Sequence, residues 1–141
     1  MLISAKAEYA CLAMLELAVR YGDPRPVRLA DVADKHGIPG RFLVQILLQL
    51  KNNGLVASTR GAAGGYHLAR PPAEITLADV LGVIDRADQP TAKPKPRGEV
   101  SPLAATLHGV WDQVAAARGR ILRTTTLAEL VEAGQGLQYV I

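Results

Sequence analysis

Between Lys35 and Ala73 the chain carries no aspartate or glutamate, yet it holds Lys35, Arg41, Lys51, Arg60 and Arg70 in that span. The span has two halves with different periods. Phe42, Leu43, Ile46, Leu47 and Leu50 recur at helical spacing and predict the core face of an amphipathic helix, leaving Arg41, Val44, Gln45, Leu48 and Asn52 on the other face. Asn53 and Gly54 supply a C-cap. Two short strand-like runs, LVAST and YHLAR, then flank the glycine-rich RGAAGG. That order predicts a hairpin with a loop longer than a tight turn, projecting directly behind the helix.

The outer helix face is unusual. A plain solvated face is crowded with Glu and Lys, whereas this one mixes Arg and amide side chains with apolar groups. Such a mixture suits the floor of a DNA major groove, where Arg donates to guanine, Gln pairs with adenine, and Val or Leu touches a thymine methyl. A helix followed by a projecting hairpin is the reading head of a winged helix-turn-helix. The wing arginine, Arg60, is then expected in the minor groove or on phosphate. Gly61 and Gly64 sit in the same loop, where glycine permits positive φ and close approach to a phosphate.

Composition bounds the alternatives. With 141 residues and 49% apolar content, one domain with a helical extension is expected. The net charge is only +3, so the local clustering carries the argument for nucleic acid. Low aromatic content speaks against stacking on single strands. A single cysteine, Cys11, excludes an internal disulfide and cannot alone build a zinc or iron–sulfur site. It lies in a helix that reads as buried, which makes it inert packing. His36, His67 and His108 are scattered and meet no metal-ligand spacing. RGAAGGYH lacks the Lys-Ser/Thr ending of a P-loop, and no nucleophile–base pattern occurs, so an enzyme is not expected. The N-terminus carries Lys6, Glu8 and Glu16, unlike a signal sequence or a membrane span. A cytoplasmic protein follows.

In chain order, a largely buried helix is expected from about Ser4 to Tyr21, capped by Ser4 and ended by Gly22, Asp23, Pro24 and Pro26. Ser4 and Lys6, at the mouth of that helix, are candidate phosphate contacts, with capping and solvation as the plainer roles. LADVADKH gives a short helix stopped by Gly37. Pro39 lets the next begin at once, with Pro39 and Gly40 leading it into the groove. Thr76 and Asp79 resemble a capping box before a helix reaching about Ala87. DQPTAKPKPRGEV, residues 88–100, reads as a mobile loop. Ser101 and Pro102 start a long helix presenting Leu103, Leu107, Val110, Trp111, Val114, Ile121 and Leu122 at helical spacing. Such a stripe needs a cover, and a second copy is the economical one. Thr126 and Glu129 open a short final helix expected to end at Gly134, before the tail GQGLQYVI.

The fold class is therefore mainly α with a small β-hairpin wing. Residues 1–87 form a winged helix-turn-helix domain with the wing at about 55–70. Residues 88–100 are a flexible loop, and residues 101–141 hold the dimerisation helix, a short last helix and the tail.

AKAEYA near the start, GIPGRFLVQIL, KNNGLVASTRGAAGGYHLAR across the wing, ITLADVLGVID and TTTLAEL together resemble the bacterial IscR/NsrR/CymR-type regulators of the Rrf family. The resemblance covers almost the whole chain, with the wing punctuation its most specific part. It implies a dimeric DNA-binding repressor or activator, paired through the long helix. Several members hold an iron–sulfur cluster on three cysteines in the loop equivalent to roughly 88–106, which here has none, so no cofactor is carried over. Glu8 and His108 stand where some relatives supply a non-cysteine ligand, and are read here as surface or dimer-contact residues.

The closer likeness is to the cluster-free, CymR-like branch, which regulates cysteine metabolism. That branch implies cysteine synthase as a partner, whose pocket takes a C-terminal isoleucine carboxylate. Tyr139, Val140 and Ile141 present such an end, although packing of the tail on its own dimer is the preferred reading. Relatives commonly carry Ser or Thr at Pro39 and an acid at Val44, which shifts the operator read. Two alternatives stay open: the same fold sensing a metabolite or a redox change, and a winged-helix interaction module without DNA binding.

Overall fold

The computed structural model describes residues 3–88 and 101–140, with side chains through Arg86 in the first segment and through Gln135 in the second. Helix α1 (Ala5–Val19) is the axis around which the rest packs. Ser4 caps it, its Oγ accepting from the Ala7 N–H at 3.1 Å. Its small buried residues Ala7, Ala10 and Ala13 let neighbouring helices approach closely, while Met14 and Leu17 fill the centre. The helix touches α2 (Leu29–His36), α3 (Gly40–Asn52), α4 (Leu77–Asp88) and α6 (Leu127–Val140). The helix ends at Val19 instead of running on to Tyr21, and Val19 is exposed because it points away from the buried face of α1.

Gly37 terminates α2 with φ of 64°, and the Ile38 N–H donates back to the Ala33 carbonyl at 3.0 Å. Ile38 then anchors the turn in the core, and Pro39 serves as N-cap of α3. Leu43, Ile46, Leu47 and Leu50 are buried from α3, as their spacing predicts. Phe42 is not: it is 49% exposed. On a helical projection it lies about 90° from the centre of the buried four, at the edge of the face that meets the core.

The wing consists of β1 (Val56–Thr59) and β2 (Gly65–Leu68), antiparallel, with Val56 opposite Leu68 and Thr59 opposite Gly65. Its base is fixed by Val27, which exchanges both backbone hydrogen bonds with Tyr66 at 2.8 Å. This close approach explains Gly65, because a Cβ there would collide with the Val27 carbonyl. Gly65→Ala is expected to cost about 1–3 kcal/mol, as forced overpacking does. Urea denaturation would check it, and an unchanged midpoint would show that the Val27 bridge yields freely.

Thr76 and Asp79 cap α4 reciprocally: the Asp79 N–H donates to Thr76 Oγ1 and the Thr76 N–H to Asp79 Oδ2. Helix α5 (Pro102–Thr124) starts from Ser101, whose Oγ accepts from the Ala104 N–H. It contributes no fully buried residue. Leu122 turns inward against the core, whereas Ile121 is exposed. At its end the chain is stitched to the N-terminal unit: the Leu77 N–H donates to Thr125 O and the Leu127 N–H to Ile75 O.

Helix α6 differs from its expected form, since it passes through Gly134 and continues to Val140. Packing on α1 offsets the roughly 1 kcal/mol that each of its two interior glycines, Gly134 and Gly136, costs. Tyr139 and Val140 therefore belong to a helix, not to a free tail, and their side chains lie outside the described residues, as does Ile141. The expected loop at 88–100 also falls outside them, save Asp88, which closes α4.

Candidate nucleic-acid interface

With Leu43, Ile46, Leu47 and Leu50 turned inward, α3 presents Arg41, Gln45, Leu48 and Asn52 at i, i+4, i+7 and i+11, a line opposite the core. All four are exposed. Val44 stands on one flank of the line and Phe42 on the other, both about half exposed. Pro39, Arg41, Phe42 and Gln45 line one open concavity of about 400 Å³. Phe42 is the residue of this surface that a core assignment hides. Its signal was its angle on the helix, about 90° from the centre of the buried four.

Arg60 is exposed at the start of the wing loop, and Gly61 next to it has φ of 108°, a conformation that favours glycine. Gly64 donates its N–H to Gly61 O at 2.9 Å, and a Cβ on Gly64 would clash with the Thr59 carbonyl. Both glycines thus have backbone reasons to be where they are. The wing is tied to the helix before it by the Leu55 N–H, which donates to Leu50 O at 3.0 Å, so α3 and the wing are placed by one turn. Ser4 is exposed and already caps α1 through its oxygen, while its hydroxyl proton remains a donor. Lys6 is half-buried.

Behind α3, a buried carboxylate that the sequence did not single out holds the helix-turn-helix unit to α1. Glu16 Oε1 receives Lys35 Nζ at 2.7 Å and stands 3.1 Å from His36 Nε2. Burial opposes ionisation, but the hydrogen bonds and charges of Lys35 and His36 prevail and hold its carboxyl below the ordinary value. The clasp joins the last turn of α1 to the last turn of α2. Cys11 is half-buried, and burial, helped by the negative charges of Asp85 and Glu8, pushes its thiol up to about 11. It stays protonated at neutral pH and is a poor nucleophile. Glu8 and His108 are exposed, and the described residues include no group of three or more His, Cys, Asp or Glu able to hold a metal.

A helix-turn-helix whose second helix shows a carboxylate-free outer face, followed at once by a basic two-stranded wing, defines a DNA-binding transcriptional regulator. The chain belongs to the Rrf2 family, whose model, described as an iron-dependent transcriptional regulator, matches residues 3–133. An HTH-type transcriptional regulator of Mycobacterium tuberculosis (strain H37Rv) is 42% identical over 134 residues, 92% of this chain and 81% of its own length. IscR of Serratia proteamaculans is 34% identical over 131 residues, 93% of this chain and 79% of that protein.

Among solved structures, IscR of T. potens superposes with a TM-score of 0.79 at 30% identity, over 98% of this chain and 91% of that one. CymR, the global cysteine regulator of B. subtilis, gives a TM-score of 0.80 at 31% identity, over 94% and 98%. These relatives are named for regulation, and the protein is a regulator and not an enzyme. Among the described residues no helix is long and apolar enough to cross a membrane.

Proposed function

We propose that the protein is a homodimeric, sequence-specific repressor that reads a near-palindromic operator and works without an iron–sulfur cluster. The observation that carries this reading is the outer line of α3, Arg41, Gln45, Leu48 and Asn52, exposed within a stretch of chain free of carboxylates. Arg41 and Gln45 are the base readers. Pro39, Gly40 and Val44 border them, and Arg60, carried by the glycine-bounded tip, grips the minor groove or a phosphate beside it. Ser4 and Lys6 add phosphate contacts at the mouth of α1.

Pairing is supported by α5. Leu103, Leu107, Val110, Val114, Ala117 and Ile121 follow one another at spacings of four and three, the pattern of a coiled-coil seam. Leu103, Leu107, Val110, Val114 and Ile121 are all exposed in the single protomer, and Trp111 lies exposed on their flank. A stripe of this length left in water is what a second copy covers.

The donor set does not fit a cluster. The chain's one thiol is Cys11, on α1, and its thiolate is disfavoured by burial and by two neighbouring carboxylates. That is why the reading follows CymR, named as a global cysteine regulator, and why genes of cysteine or sulfur metabolism are the proposed targets. Cysteine synthase, engaged through Ile141, is the partner that this branch would imply.

The test is direct binding to duplexes carrying the promoter of the protein's own gene. Arg60→Ala is expected to weaken binding to every sequence alike and to reduce the salt slope by about one unit. Arg41→Ala is expected to cost about 1–3 kcal/mol and to relax the preference at one base pair per half-site. Equal affinity of wild type for promoter and scrambled duplex would instead favour an interaction module that does not read sequence.

A further inference from the structure

The concavity at the start of α3 has an apolar wall, Pro39 and Phe42, and a polar one, Arg41 and Gln45. Nothing in the fold requires Phe42 there: it is 49% exposed on a helix whose core face is filled by four other residues. The floor of the major groove offers one apolar group, the C5-methyl of thymine, and its partner adenine offers an acceptor and a donor that a glutamine side chain matches. The notch also holds no carboxylate to accept from the cytosine N4 amino group.

We propose that Pro39 and Phe42 form a notch that reads a pyrimidine C5-methyl, with Gln45 placed to engage the adenine of the same base pair. The assignment rests on the operator-reading function above and adds a specificity determinant to it. The methyl enters between the pyrrolidine ring of Pro39 and the ring of Phe42, removing apolar surface of all three from water. Arg41, on the neighbouring position of the same turn, is left for the adjacent base pair or its phosphate. Thymine and 5-methylcytosine share the methyl, and the two are separable by experiment.

The experiment selects duplexes from a randomised pool with the full-length chain and then replaces each thymine of the enriched site by deoxyuridine. At one thymine per half-site, loss of the methyl is expected to weaken wild-type binding about fourfold, the value of one buried carbon. Phe42→Ala should weaken binding to the thymine duplex by a similar factor and abolish the thymine–uracil difference there. Phe42→Leu, which keeps an apolar side chain, should retain part of it.

Replacing that pair by 5-methylcytosine–guanine separates the two sources. Recovered affinity relative to unmethylated cytosine assigns the notch to the methyl of either base, and no recovery assigns it to thymine paired with adenine. Enrichment of a site whose thymines are all indifferent to uracil, or equally sensitive in wild type and Phe42→Ala, overturns the notch alone. Failure to enrich any sequence overturns the operator-reading function and the notch with it.

Discussion

The double variant Val110→Asp/Val114→Asp is expected to sediment as a monomer and to lose on the order of 10²–10⁴-fold in affinity for a two-half-site operator. Both valines are about half exposed in the protomer, 47% and 45%, so an acid at either position leaves the folded chain intact. In a paired seam the same acids face one another across an apolar interface, where burying like charges is prohibitive. The loss in DNA affinity follows from linkage: two reading heads joined in one particle make the second contact intramolecular. Binding to an isolated half-site should change little. A variant that stays dimeric, or a monomer that holds the full operator as tightly as wild type, would remove α5 from the account.

Leu127→Ala should cost about 2–5 kcal/mol, a large share of the 5–15 kcal/mol that holds a typical domain folded. Leu127 has no exposed surface, and its N–H also donates to Ile75 O at 2.9 Å. Removing three carbons leaves a void where α6 enters the core, and the backbone bond to Ile75 on one side and the helix on the other limit collapse into it. The urea midpoint should fall with little change in slope. A drop below about 1 kcal/mol would mean that the site closes over the gap, as volume-tolerant positions do.

Local signals read well from the sequence. Ser4, the Thr76–Asp79 pair, Gly37 and Ser101 cap the helices their chemistry predicts, because each acts within three or four residues of itself. The wing and the outer line of α3 were legible for the same reason. What depends on the far side of the molecule was not. Phe42 falls at the edge of the helical stripe, and a period alone does not fix how far round the helix the core reaches, for Leu43 beside it is fully buried. Gly134 is a sound stop signal in isolation, yet α6 gains enough from lying on α1 to carry it. Glu16 looks like any solvated helix residue until Lys35 and His36, some twenty residues on, are folded against it. Leu122 and Ile121, adjacent in sequence, part company because only one of them meets the core.

If two copies pair through α5, the two backbone bonds that clip residues 125–127 to residues 75–77 bear on what DNA they would accept. They fasten the far end of α5 to the body that carries α3, so in such a pair the separation of two heads would be a built-in length. Such a particle would be a ruler. Adding one base pair between half-sites turns one of them by about a tenth of a helical turn, and the clip leaves the protein little freedom to follow.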